Sequence, residues 1–165
     1  MTELWDVYDR HRNKSGRAVE RGKPMAAGDF HIVVHVWLRN SRGEWLISKR
    51  SPAKEDWPGW WETTGGSALV GDDSLAAALR EVKEELGIDL DHANGSLWRI
   101  IMRENHHAIC DIWIFQHDCP IGDVVYQQGE TCDAMWAGKE KILEMIENGE
   151  FYPFHYIGEL MKAYS

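Results

Sequence analysis

The chain has 165 residues, 44% hydrophobic and 27% charged. That is enough for one well-buried core and too little for two ordinary domains, so a single domain over 1–165 is expected. A net charge of −9 and a pI near 5.3 exclude a protein that holds nucleic acid by surface charge alone, which needs a basic face; a small anionic substrate is compatible if a metal supplies positive charge.

No stretch approaches 20 apolar residues and no apolar run opens the chain, so no membrane contact and a cytoplasmic location are the expectation. Cys110, Cys119 and Cys132 are odd in number and lack C-x-x-C spacing, which indicates neither a disulfide framework nor a zinc site.

In chain order, Leu4 to Tyr8 predicts a short strand. Arg10 to Lys23 is polar and holds six of the eighteen basic residues. It reads as a solvated arm or hairpin, or as an arm that leans Arg17, Arg21 or Lys23 over a bound phosphate. Phe30 to Leu38 is rich in β-branched and aromatic residues, and the Asn40-Ser41-Arg42-Gly43 turn leads to Trp45 to Ser48, which predicts a β-hairpin. His31 and His35 share a face of the first strand.

Ser51 to Trp61 is a loop by its Pro52 and Pro58-Gly59. Trp57, Trp60 and Trp61 are the densest part of a set of nine tryptophans. They either pack on the core or stack on a nucleobase, worth ~1–3 kcal/mol per base. Lys49, Arg50 and Lys54 beside them are candidate phosphate contacts or ordinary surface residues.

Gly65 to Leu90 carries the chemistry. Gly65, Gly66 and Gly71 precede Asp72 and Asp73 and then a run of helix formers ending at Gly87, which predicts a Gly-rich loop feeding a helix with a glycine stop. At 3.6 residues per turn Leu75, Leu79, Val82 and Leu86 form one stripe, with Glu81, Glu84 and Glu85 roughly opposite. Glu81 and Glu85 are like charges at i, i+4, which costs a few tenths of a kcal/mol. A hard divalent cation removes that repulsion, since Mg²⁺ and Mn²⁺ take oxygen ligands and bridge carboxylates to phosphates; the alternative is a solvated acidic face.

Beyond the helix, Leu97 to Met102 and Ala108 to Phe115 predict two strands around a turn at Glu104 to His107. A weaker strand is expected near Val124 to Tyr126, followed by Gly129-Glu130 and an extended piece into Met135-Trp136. Lys139 to Glu147 reads as a helix with Ile142, Leu143 and Ile146 inward. Phe154, Ile157, Leu160, Met161 and Tyr164 give the stripe of a last helix. Strands on both sides of the acidic helix, with helices after the last strand, indicate an α/β (α+β) fold with a mixed β-sheet between helices.

The loop and helix resemble the Nudix box: Gly66, then Arg80, Glu81, Val82, Glu84, Glu85, Gly87 and Ile88 at the family's spacing. Asp72 stands where the family has its first glutamate, and beside a helix start it would also suit an N-cap. The box spans 65–88, between an N-terminal strand and basic arm (1–28) and C-terminal helices (138–165).

Roughly residues 3 to 137 further resemble the branch that includes the isopentenyl-diphosphate isomerases, through D-V-Y-D, G-D-F-H, S-K-R-S and K-E-D-W-P-G-W-W. This chain has Gly65 at the position of the isomerases' cysteine and Ser67 at that of their histidine, and it keeps the Arg-Glu…Glu-Glu pattern that they degrade.

The resemblance implies a Nudix-type α/β/α sandwich and a diphosphohydrolase that cleaves the P–O–P bond of a nucleoside diphosphate linked to another group. It implies Mg²⁺ or Mn²⁺ on the Gly65 carbonyl, Glu84 and Glu85, with Arg80 orienting the glutamates and Glu81 a ligand or the general base. Glu130, six residues before Trp136, is a further candidate ligand, and Arg50, Lys54, Trp57 and Trp61 are candidate substrate contacts. The alternatives are an isomerase and a catalytically silent nucleotide-binding module. Exposed tryptophans would suit a homodimer.

Overall fold

The computed structural model describes residues 1–165. Strand β1 (Leu4–Tyr8) pairs antiparallel with β2 (Lys14–Glu20), so the basic arm is the second half of a hairpin. Its turn closes on the Asp9 carboxylate, which accepts from the backbone N–H of His11 at 2.8 Å and of Asn13 at 2.9 Å. Arg12, in the left-handed region at φ 68°, forks onto Asp111. Asp111 is fully buried, and a buried charge of that kind persists only when paired. The ion pair pins the hairpin to the sheet.

That sheet has seven strands: β3 (His31–Arg39), β4 (Trp45–Arg50), β5 (Trp61–Glu62), β6 (Thr64–Ser67), β7 (Gly95–Arg103), β8 (Ala108–Gln116) and β9 (Thr131–Ala137). One edge of β3 runs parallel to β8 from His31↔Ala108 to Arg39↔Gln116, and β8 is antiparallel to β7. The other edge takes β6 along Val33 to Val36 and meets β4 only at Arg39↔Trp45. The expected hairpin is therefore joined at its turn end alone. Beyond it β4 turns away to pair with β9 and β5, and the sheet parts between β3 and β4.

Period-2 alternation on β3 feeds two cores. Ile32, Val34, Val36 and Leu38 pack with Ala77, Ala78, Val82 and Leu86 of α1 (Ser74–Leu86), while Trp37 packs with Trp45, Ile112, Ile142 and Leu160 on the opposite face. Ile142 and Leu160 come from α2 (Lys139–Glu147) and α3 (Ile157–Ala163). With helices on both faces, the fold is the expected mixed sheet between helices.

Several local expectations shift. In α1 the fully buried side chains are Ala77, Ala78, Val82 and Leu86, with Leu75 and Leu79 half-buried at the margin, because small residues let the helix lie close on the sheet. In α2, Ile142 and Met145 are buried while Leu143 and Ile146 are partly covered. Phe154 precedes α3 instead of belonging to it. Val124 to Tyr126 is not a strand: the N–H of Val125 caps the Leu86 carbonyl at 2.9 Å and that of Gln127 bonds Glu85 O at 3.1 Å. The end of α1 takes the donors that a ladder would need.

Candidate active site

Where β3 and β4 part, a cavity of 450 Å³ is lined by His35 of β3, Arg50 of β4, Glu62 of β5, Gly65 to Ser67 of β6 and the glutamates of α1. The two glycines of β6 are required by close approach. A Cβ on Gly65 would run into the carbonyl oxygen of Val34, and one on Gly66 would run into the carboxyl of Glu81. Glycine at 66 lets α1 set that carboxylate directly over the strand.

α1 starts on Asp73, whose side chain accepts from Ala76 N–H at 2.7 Å, and stops at Gly87 in the left-handed region at φ 67°. The cap is thus Asp73 and not Asp72. Asp72 accepts from Leu69 N–H at 3.1 Å and from Arg80 Nε and Nη2 at 3.1 and 2.9 Å. Arg80 also donates to the Ser67 carbonyl at 3.1 Å, to Glu81 at 3.1 Å and to Glu84 at 3.3 Å. It lies outside the cavity wall, and its contacts fix two glutamates and the loop at once.

Glu81, Glu84 and Glu85 all face the cavity. Burial raises the Glu81 carboxyl to about 7, against the pull of Arg80 and with help from Glu84 and Glu3. Burial also raises Glu85 to about 8, against a hydrogen bond donated by the Thr64 hydroxyl and with help from Glu81, Glu62 and Glu130. In both, desolvation is the larger cause and the anionic neighbours the smaller. Glu130 lines the same cavity, its charge acting on Glu85 and Glu62, and it is held by Lys54.

Of the candidate substrate contacts, Arg50, Lys54 and Trp57 line the cavity. Arg50 is bonded to both oxygens of Glu62 at 3.0 and 3.1 Å. Trp57, 40% exposed, stands edge-on to Trp60 and Tyr152 at 4.7 and 4.9 Å between centroids. Trp61 is not on the wall. It packs against the second core, and its backbone bonds Glu150 and Tyr152 at 2.8 Å each, drawing the 150–154 segment to the site.

From the basic arm Arg21 reaches the wall, paired with Glu3 at 3.0 Å; Arg17 is held by Asp29 instead. Only Trp57 of the nine tryptophans is exposed, so the argument for a homodimer loses its premise.

Sequence reasoning missed Glu62, Arg103, Tyr152 and Phe154 as wall residues. Glu62 adjoins the box and a carboxylate there was a readable signal; the other three reach the site only through strand pairing and the Trp61 bonds. His35 also lines the cavity. Its Nδ1 lies 2.8 Å from the Tyr156 hydroxyl, and burial lowers it to about 3, so it is neutral.

A family model described as the NUDIX domain matches residues 29–155. The chain belongs to the Nudix family. It is 35% identical over 164 residues to an uncharacterised Nudix hydrolase of Listeria innocua, covering 97% of this chain and 94% of that one. It is 24% identical over 158 residues to an isopentenyl-diphosphate Δ-isomerase of Corynebacterium diphtheriae, covering 90% and 86%. A crystal structure from Deinococcus radiodurans superposes with a TM-score of 0.77 at 22% identity, covering 98% of each chain, a likeness of fold.

This Nudix hydrolase belongs to a family that generally uses divalent metal ions, and its donor set is of the hard-oxygen type such ions take. No three His, Cys, Asp or Glu side chains are gathered tightly enough to hold an ion as they stand. Glu81 is bonded to Arg80, Glu85 to Thr64 and Glu130 to Lys54. The chemistry of the donors fits, with rotation of these side chains onto the ion. No helix is long and apolar enough to cross a membrane.

Proposed function

We propose that this Nudix hydrolase cleaves the P–O–P bond of a nucleoside diphosphate linked to another group, using Mg²⁺ or Mn²⁺. The observation that carries the reading is the convergence of Glu81, Glu85, Glu62 and Glu130 on one cavity, with the first three raised above ordinary carboxylates. Mutually repelling, half-desolvated carboxylates are what a divalent cation relieves.

The Gly65 carbonyl, Glu84, Glu85 and Glu130 would hold the metal, which would neutralise phosphate charge and activate water. Glu81, at about 7, is matched to accept the proton of the attacking water. Arg80 fixes its direction. Arg50 and Lys54 contact phosphate by exchanging their carboxylate partners for it, and Trp57 stacks on the base.

The isomerase reading is opposed by Gly65, since any side chain there meets the Val34 carbonyl. A silent binding module is opposed by the intact Arg80, Glu81, Glu84 and Glu85.

The test is phosphate release from a broad panel of nucleoside diphosphate derivatives, with Mg²⁺ and with Mn²⁺, alongside isopentenyl diphosphate scored for its dimethylallyl isomer. Hydrolysis of at least one panel member is expected. Isomerisation without hydrolysis overturns the proposal.

A further inference from the structure

Four cations line the cavity, and three are already matched: Arg21 by Glu3, Arg50 by Glu62 and Lys54 by Glu130. Arg103, the last residue of β7, has no carboxylate partner; its nearest polar contact is His106 Nε2 at 3.4 Å. In an otherwise acidic cavity, a half-buried guanidinium left without an anion presents its donors to whatever enters.

Its place in the fold separates it from the box. Arg103 lies opposite Ala108 of β8, which lies opposite His31 of β3. The strand alternation puts it on the same sheet face as Cys110 and His35. The charges acting most strongly on Glu62, Glu81 and Glu85 come from Arg50, Arg80 and the other carboxylates, whereas Arg103 acts on His35, Cys110 and Tyr156. Phe154 packs edge-on to His35 at 5.0 Å and beside Tyr152 at 4.7 Å, giving this end an aromatic wall.

We propose that Arg103 recognises a phosphate monoester carried by the substrate at the end remote from the scissile anhydride. The substrate class is then a nucleotide with a further phosphate beyond the diphosphate that is cut, and an isoprenoid diphosphate, whose tail is hydrocarbon, does not suit this end. Naming the substrate rests on the hydrolase reading; the anion site itself does not.

Inorganic phosphate, titrated calorimetrically into the whole protein in EDTA, tests the anion site without metal or turnover. The wild type should bind it, and Arg103→Ala and Arg103→Gln should weaken Kd by about tenfold or more, the scale of a lost charge-assisted contact. Arg103→Gln guards against a folding defect, checked by its Tm. Equal Kd in all three proteins, or no binding by the wild type, overturns the site.

The second arm uses two dinucleotides that differ by one 2′-phosphate. The wild type should show the lower KM for the phosphorylated one, by about tenfold, and Arg103→Ala should bring the ratio toward one. A ratio unaffected by the substitution overturns the substrate assignment. Phosphate binding that depends on Arg103, with no hydrolysis of any diphosphate, instead overturns the hydrolase reading and leaves the site standing.

Discussion

Arg80 grips Asp72 through two donors, Nε at 3.1 Å and Nη2 at 2.9 Å, while Nη1 holds Glu81 at 3.1 Å. The acid before the helix therefore acts on Glu81 through an arginine eight residues on, and the residue after it, Asp73, does the capping.

The two neighbours should separate cleanly on mutation. Asp72→Ala should lower kcat by about tenfold or more, on the scale of a lost charge-assisted bond that orients a reacting group. Asp73→Ala should leave kcat within about twofold and cost ~0.5–2 kcal/mol in urea unfolding. Asp72→Glu, with the same charge and one more methylene, should keep the Arg80 contact and most turnover. The reverse pattern, with stability lost at 72 and turnover lost at 73, would mean the contacts described are not those that matter.

Glu85 offers a pH test of the same site. Its carboxyl is raised in the fold from the ordinary 4.5 to about 8, so the folded state favours the protonated form. That contribution is complete below the unfolded pKa and is lost as pH rises toward 8. In EDTA, Tm should fall between about pH 5 and pH 8, and Mg²⁺ or Mn²⁺ should raise it most at the alkaline end. Glu85→Gln should flatten the slope while removing most turnover; an unchanged slope would show that Glu85 is not the strained carboxylate.

Acid should act through His31 and His35 with the opposite sign. His35 is lowered from 6.5 to about 3 and His31 to about 4, both by burial first. Their contribution is complete above pH 6.5 and is lost as pH falls toward those values, at ~1.4 kcal/mol per pH unit for each histidine charged on unfolding. Urea titrations at pH 7, 6 and 5 should show the loss, and His35→Gln should reduce it. Equal pH dependence in wild type and variant would place the acid sensitivity elsewhere.

Gly65 and Gly158 test close approach against conformational freedom. Gly65→Ala, and the isomerase-like Gly65→Cys, should destabilise by ~1–3 kcal/mol through contact with the Val34 carbonyl, and the cysteine should confer no isomerisation. Gly158, in α3 with open space where a Cβ would stand, should gain ~0.5–1 kcal/mol as alanine. Thermal melts of the three variants check the stabilities and an isopentenyl diphosphate assay of Gly65→Cys checks the activity, and a Gly65→Cys protein as stable as the parent would sink the steric argument.

The acidic helix, its glycine stop, the main strands and the carboxylate face of Glu81, Glu84 and Glu85 were legible in the sequence. They obey local periods of 3.6 and 2 that neighbours in the chain impose on one another. The choice between Asp72 and Asp73 as the cap was not legible, because it depended on whether Arg80 would reach back over about two helical turns. Nor was the site's full membership. Arg103, Tyr152 and Phe154 stand far from the box in the chain and join Glu62 and Glu130 only because β4 leaves β3 after a single pair, opening the sheet where β6 brings its glycines against α1. Spacing in sequence sets which side of an element a residue occupies. Whether its charge finds a partner, and how far burial shifts it, is decided by what the tertiary structure packs opposite.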